Sequence, residues 1–230
     1  SFTFKQFHIN QQHCAMKVST DGILLGAWAD VSDCQYILDM GTGTGLVALM
    51  LAQRSHEHCQ IEAVELDPLA AQQAQENFKA SPWHNRLHLT HQDVQTYCQQ
   101  TAYQFDLIVA NPPYFTQGVE CKNDERALAR YVQQSHLDWL NWAASCLSEK
   151  GKISFVLPYE AGKTLINSTA LYCIKQTDVI TKTGKAPQRM LLTFSREHLP
   201  QVKDSLVIYN ENYQYTEEFI ALTKTFYLKM

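Results

Sequence analysis

The amino-acid sequence predicts an α/β protein built on a mostly parallel sheet, with helices on both faces and an antiparallel strand at one end. Three observations carry this. Short apolar runs alternate with helix-length segments from residue 36 to residue 195. The first run, 36–40, leads straight into a glycine-rich turn, as a strand does when it feeds a helix. The last two runs, 172–180 and 190–195, are joined only by residues 181–189, too few for a crossover helix, so they should pair antiparallel.

Taken in order, the predicted strands are 36–40, 61–65, 87–91, 105–110, 152–157, 172–180 and 190–195. Between the first five lie expected helices at 46–55, 68–79, 94–100 and 136–147, and another at 161–170 leads into the sixth strand. Asp67 is a good N-cap for the second helix, with Pro68 at its first position, and Asp93 caps the third. Residues 1–35 form an arm that precedes the first strand, with a short helix over 23–29 capped by Thr20 or Asp21. Residues 201–230 repeat the theme with a strand at 206–209 and a helix at 216–224. The reading is one domain, with an arm (1–35), a core (36–200) and a tail (201–230).

A length of 230 residues, 45% of them hydrophobic, suits one sizeable core. The net charge of -4 argues against binding nucleic acid through a broad basic surface. Seven cysteines (Cys14, Cys34, Cys59, Cys98, Cys121, Cys146, Cys173) include no CxxC pair, which fits free, packed thiols in a reducing cytoplasm. No run approaches the roughly 18–20 apolar residues of a membrane span. The N-terminal SFTFKQF lacks the pattern of a signal peptide. A cytoplasmic protein without a membrane partner is expected. His56, His58 and Cys59 resemble metal ligands superficially, but they have no second ligand pair nearby, so no metal is expected.

Residues 37–45 (ILDMGTGTG) end one strand and open a helix. Gly41, Gly43 and Gly45 let the backbone pass close to a ligand, and the helix start offers free N–H groups. Glu65, at the end of the next strand, can accept both hydroxyls of an adenosine ribose. A dinucleotide-binding fold uses the same logic with a G-x-G-x-x-G spacing, whereas here the spacing is G-x-G-x-G and Asp39 precedes it. A plain tight turn is the bland alternative. Asp93 is positioned either to accept from the adenine amino group of a nucleoside cofactor or simply to cap its helix, and both can hold.

Residues 106–114 (DLIVANPPY) run from a buried strand into Asn111-Pro-Pro-Tyr114. In open parallel sheets ligands bind at the carboxyl ends of strands, and this motif follows the fourth. An adenine amino nitrogen is a poor nucleophile because its lone pair is delocalised into the ring. Two hydrogen-bond acceptors around its N–H bonds would free that pair. The Asn111 side-chain oxygen and the Pro112 carbonyl are the candidates. Pro112 and Pro113 fix φ and remove competing N–H donors. Tyr114 offers a face for stacking a flipped base, worth roughly 1–3 kcal/mol. The alternative is a rigid turn that only ends a strand.

Together the two motifs resemble the class I S-adenosylmethionine-dependent methyltransferases that act on amino groups. The stretches FKQF (4–7), CAMKVSTDGILLGAW (14–28), QGVEC (117–121) and ALTKTFYL (221–228) are similar to the bacterial valine-tRNA adenine methyltransferase family. The resemblance covers nearly the whole chain, and the catalytic four residues show no departure from it. It implies a Rossmann-like, seven-stranded sheet with an antiparallel last strand, S-adenosylmethionine as cofactor, and methylation of the 6-amino group of an adenine in tRNA, at position 37 of a valine tRNA. It also implies that Lys17 and Thr20 help close the cofactor pocket. Lys17 is suited to pair with the cofactor's carboxylate, or is an ordinary surface lysine.

A tRNA substrate must be reconciled with an acidic chain. Residues 150–203 carry nine basic and three acidic side chains, a local charge of +6. Lys182, Lys185 and Arg189 cluster between the last two strands, where they can meet phosphates or form a solvated turn. Arg126 and Arg130 lie in a polar segment, 115–130, that reads either as a lid over the base with the two arginines touching the RNA backbone, or as a disordered loop with no role. Trp28, Trp83, Trp139 and Trp142 are read as packing residues. A monomer is expected. Three rival readings share features: a glutamine-amide methyltransferase acting on release factors, a nicotinamide-dependent oxidoreductase, and a non-catalytic RNA-binding module.

Overall fold

A computed structural model of the chain describes residues 1–12, 19–114 and 134–230. The elements, in order, are β1 (Phe2–Thr3), β2 (His8–Ile9), α1 (Thr20–Trp28), β3 (Tyr36–Met40), α2 (Leu46–Arg54), β4 (Gln60–Glu65), α3 (Pro68–Lys79), β5 (Leu87–His91), α4 (Val94–Gln100) and β6 (Phe105–Ala110). They continue with α5 (His136–Ser145), β7 (Leu147–Pro158), α6 (Tyr159–Ser168), β8 (Tyr172–Lys182), β9 (Arg189–Ser195), β10 (Val202–Tyr209) and α7 (Glu217–Thr223).

Each of the seven expected strands forms, and all lie in one sheet of order β10-β8-β9-β7-β6-β3-β4-β5. Every neighbouring pair is parallel except those made by β9, which runs antiparallel to both β7 and β8. The short connection after β8 forces this reversal. The tail strand β10 adds an eighth member, parallel to β8 at the edge of the sheet. The arm adds an unexpected pair of two-residue strands, β1 and β2, too short to show in a periodicity.

Both faces of the central strands are covered, which is why these strands are largely apolar. Alternate residues go to opposite faces. Ile37, Leu107 and Val109 face one cluster with residues of α1 and α2. Leu38, Ile108 and Ala110 face the other, with residues of α4, α5 and α6. Trp28 and Trp139 are buried, and Trp83 meets Phe7 edge-on at 5.9 Å. Trp142 packs against the second cluster.

The helix start furthest from expectation is that of α1. Helix α1 begins at Thr20 rather than near residue 23, and its N-cap is Ser19, not Thr20 or Asp21. Ser19 is extended (φ -117, ψ 155), and its hydroxyl accepts from the Gly22 N–H at 3.3 Å. That cap places Asp21 in the first turn, where the helix dipole favours a carboxylate. The arm is anchored at two points. The Lys5 N–H donates to the Phe226 carbonyl at 2.8 Å. The Asn10 N–H donates to Asn77 Oδ1 at 3.0 Å. Among the described residues, no helix is long and apolar enough to cross a membrane.

Candidate active site

The carboxyl ends of β6, β3, β4 and β5 stop in register. Ala110 pairs with Met40, Met40 with Val64, and Glu65 with His91. The glycine-rich turn therefore leaves β3 beside the Asn-Pro-Pro-Tyr motif leaving β6, one strand spacing away, about 4.8 Å. Glu65 ends the strand on the other side of the turn.

Gly41, Gly43 and Gly45 all have positive φ (68, 59 and 92), a region that L side chains enter only with strain. Their surroundings differ. A methyl group on Gly45 would lie 2.5 Å from Phe78 Cε1, and one on Gly41 would lie 3.0 Å from Trp139. Among the described residues, a methyl group on Gly43 would meet nothing within 4 Å. Two of the glycines thus let the core close up, while the third borders open space.

Glu65 organises the turn. Its Oε1 accepts from the Gly43 N–H at 2.8 Å and its Oε2 from the Asp67 N–H at 2.9 Å. Each carboxylate oxygen can take a further bond. Asp39 is buried beneath the turn and accepts from the Thr42 hydroxyl at 2.7 Å. Burial pushes its carboxyl up to about 7, and the nearby Glu65 charge adds to this, although the Thr42 hydroxyl and the Ala48 N–H pull the other way. Burial also raises Glu65 above the usual carboxylate range, against the opposing N–H bonds from Asp67 and Gly43. Asp93 caps α4, with Oδ2 accepting from the Thr96 N–H at 3.1 Å and the Thr96 hydroxyl at 3.0 Å.

The Asn-Pro-Pro-Tyr motif is braced from two sides. The Pro113 carbonyl lies 3.2 Å from His136 Nε2, at the start of α5. Burial lowers His136 below its ordinary value, favouring the neutral ring, which donates to Pro113 in its Nε2–H tautomer. Tyr114 is 51% exposed, but its hydroxyl is held. It donates to Asp21 Oδ2 at 2.9 Å and accepts from an Arg189 Nη2–H at 3.1 Å. Arg189 Nε meets the same Asp21 oxygen at 3.0 Å, with the two side chains 32% and 16% exposed. The Arg189 guanidinium carbon stands 5.5 Å from the Tyr114 ring centre. Burial and the hydrogen bond to Asp21 raise the Tyr114 phenol. Burial opposes the charge on Arg189, yet Asp21 and Tyr114 outweigh it and hold the guanidinium protonated more firmly than usual.

Arg189 reaches this place because β9 is antiparallel. Its first residue, Arg189, sits opposite Pro158 of β7 and Val179 of β8, at the carboxyl edge of the sheet. The basic residue read from sequence as a phosphate contact is thus paired within the chain as well. Lys182 ends β8 with its ammonium 3.9 Å from the centre of the Tyr213 ring, and Lys185 is exposed in the turn. Thr20 lies on an exposed first turn, on the wall of a pocket shared with Arg189. Lys17, Arg126 and Arg130 lie outside the described residues.

Sequence reasoning missed the side chains that brace the site: Asp21 as a partner of Tyr114, His136 under Pro113, and Asn77. The Asn77 amide donates to the Thr44 carbonyl at 2.8 Å and to the Asn10 carbonyl at 3.1 Å, tying arm to turn. One signal was present. Gln73 and Asn77, four residues apart on the buried face of α3, are polar where packing alone would favour apolar residues.

A family model for the methyltransferase small domain matches residues 22–185. The chain is 71% identical over 228 residues to a tRNA1(Val) (adenine(37)-N6)-methyltransferase of Haemophilus influenzae (strain PittEE), covering 99% of this chain and 98% of that protein. It is 62% identical to the protein of the same name from Pasteurella multocida (strain Pm70), covering 99% and 96%. Among solved structures it is similar to a predicted O-methyltransferase of Agrobacterium tumefaciens, with a TM-score of 0.70 at 18% identity, covering 90% of this chain and 96% of that one. It also resembles an O-methyltransferase of Bacillus cereus, with a TM-score of 0.55 at 15% identity over 80% and 84% of the two chains. At these identities the structural likenesses speak for the fold alone.

Proposed function

The chain belongs to the family of tRNA1(Val) (adenine(37)-N6)-methyltransferases, and from that premise we propose that the carboxyl edge of β3, β4 and β6 is its catalytic centre. The protein is an S-adenosylmethionine-dependent methyltransferase that modifies the 6-amino group of an adenine in tRNA, adenine 37 of a valine tRNA. The observation that carries the site assignment is the register of Met40 with Ala110, which sets the glycine turn beside Asn111.

The turn fits the cofactor. The open side of Gly43 leaves room for a nucleoside against the backbone. Glu65 keeps acceptor capacity on both carboxylate oxygens for the ribose hydroxyls, and Asp93 offers an acceptor to the adenine amino group. Gly41, Gly45 and Asp39 shape the turn from behind, and Lys17 and Thr20 close it from the arm. When bound, S-adenosylmethionine supplies a methyl group on a positively charged sulfur, the electrophile that the adenine amino nitrogen attacks.

The chain's own residues prepare that nitrogen. The Asn111 side-chain oxygen and the Pro112 carbonyl accept its two N–H bonds, drawing the lone pair out of conjugation. Pro112 and Pro113 hold the carbonyls rigid, and His136 fixes the second of them. Tyr114 supports the base by stacking, its ring steadied by Asp21 and Arg189. No strong base is needed, because the methylated nitrogen is acidic enough to lose its proton to water. Positioning then supplies most of the rate, with a ceiling of roughly 7–11 kcal/mol. No metal takes part on this reading, and one copy carries both motifs, so a monomer suffices. Lys182 and Lys185, with Arg126 and Arg130, meet tRNA phosphates, while Arg189 serves the same edge through its bonds to Asp21 and Tyr114, and the tRNA substrate makes the cytoplasm the compartment of the activity. Arm, core and tail act as one domain, because β10 joins the core's own sheet and Asn77 joins the arm to the turn.

The test is a methyl-transfer assay with labelled cofactor on unmodified tRNA, duplex DNA and a release factor, followed by product digestion and chromatography. Label recovered as 6-methyladenosine from tRNA is the expected result. Label in methylglutamine would keep the Asn111 chemistry and overturn the RNA substrate.

A further inference from the structure

Beside Arg189, at the carboxyl edge of β8 and β10, lies a pocket of about 150 Å³. Its walls include Asp21 and Arg189, the same two side chains that hold the Tyr114 hydroxyl. The tail contributes one side of it, with Tyr209, Tyr215, Phe219 and Tyr227. Tyr215 and Tyr227 stand near-parallel, 6.4 Å apart with 20° between their planes. Thr181 and Gln188 are exposed members of the lining, and neither side chain has a hydrogen-bond partner among the described residues.

From this arrangement we infer that this pocket is a subsite for one nucleobase flanking the target adenine. The inference rests on the reading of the protein as a tRNA adenine methyltransferase and adds a specificity element to it. Size favours a single ring, since a cavity of about 150 Å³ accommodates a benzene-sized guest, so a pyrimidine fits best. Chemistry favours a base over a phosphate. Among the described residues Arg189 is the one cation in the lining, and the Asp21 carboxylate already neutralises it. The free amide of Gln188 and hydroxyl of Thr181 supply a donor and acceptors for a base edge. Position favours a neighbour of the target, because Arg189 is the shared wall between the pocket and the ring that stacks the flipped adenine. Lys182 and Lys185 follow on the same edge, where the backbone of that neighbour would pass.

The test plugs the pocket from its exposed rim. Thr181→Trp should raise the KM for tRNA by about tenfold, the scale of one lost base contact, while cofactor affinity by calorimetry and melting temperature stay at wild-type values. Gln188→Ala, on another exposed side chain, should raise the same KM by a smaller factor. The decisive step is a cycle with tRNA made abasic at the nucleotide before or after the target. One of these should cost wild type about tenfold in KM and cost Thr181→Trp less than twofold. Equal abasic penalties in both proteins, or a folded Thr181→Trp with unchanged KM, would overturn the subsite and leave the methyltransferase reading standing. Failure of the wild-type protein to methylate intact tRNA would remove that reading, and the subsite with it.

Discussion

Replacing Gly45 and Gly43 by alanine, one at a time, separates the packing role of the turn from its ligand role. Both residues have positive φ, 92 and 59, so each substitution carries a backbone strain of roughly 1–2 kcal/mol. At Gly45 the new methyl group also stands 2.5 Å from Phe78 Cε1 and 3.0 Å from its Cζ. Phe78 is buried in the core and cannot swing into solvent. Overpacking of this kind costs about 1–3 kcal/mol, so Gly45→Ala should lose roughly 2–5 kcal/mol in all, out of a total near 5–15. At about 2–4 °C per kcal/mol for a chain of this size, the melting temperature falls by roughly 4–20 °C. At Gly43 none of the described residues lies within 4 Å of the methyl group, so the strain dominates and the melting temperature drops far less. That methyl group projects into the space assigned to the cofactor, and the dissociation constant should rise at least about tenfold, equivalent to 1.4 kcal/mol. Differential scanning calorimetry and isothermal titration with S-adenosylmethionine read the two quantities. Wild-type cofactor affinity in Gly43→Ala would refute the cradle, and wild-type stability in Gly45→Ala would refute the packing argument.

Asn111→Ala should abolish methylation while cofactor affinity survives; turnover near the wild-type rate would end the role assigned to that side chain. The pH dependence of stability should carry the mark of Asp39. Its folded value, about 7, lies above the 3.8 of an ordinary aspartate, so the folded state holds the proton more tightly than the unfolded chain. The stabilisation from that proton is therefore complete below about pH 4 and lost as pH rises through 7. Urea unfolding without cofactor should show a smaller loss from pH 5 to pH 8 in Asp39→Asn than in wild type; an unchanged slope would mean that Asp39 is ionised throughout. Lys185→Glu should raise the KM for tRNA and flatten its salt dependence, with kcat unchanged. Arg189→Glu should lower kcat as well, because it also releases Tyr114; identical effects from the two variants would dissolve the distinction.

Local chemistry was legible in the sequence. The strand ending at Met40, the glycines after it and the Pro-Pro pair after Asn111 are each dictated by neighbours in the chain. The antiparallel β9 was legible too, because nine residues cannot carry a crossover. The bracing was not. Tyr114 meets Asp21 across 93 residues, and Arg189 meets Asp21 across 168. No periodicity records such a contact, so Asp21 read only as a helix cap and Arg189 only as part of a basic turn. The start of α1 was missed because Ser19, Thr20 and Asp21 are all good caps, and the choice among them falls to the Ser19 hydroxyl and the Gly22 N–H. The tail strand was visible as an element, but its place in the sheet depends on an open edge at β8 that only the assembled fold provides.

The bond from Lys5 to Phe226 has a consequence for how the molecule is made. A chain leaving the ribosome finishes the glycine turn and the Asn-Pro-Pro-Tyr strand while its tail is still unmade. The arm must then wait, its aromatic side chains without their final partners, until synthesis reaches the last helix. Contacts so distant in sequence form slowly, and domain-sized segments emerge at about 5–20 residues per second. The nascent protein therefore passes through a stage in which the chemistry is assembled but the edge beyond Arg189 is not. Maturation of this enzyme ends with its arm and its tail fastening one another.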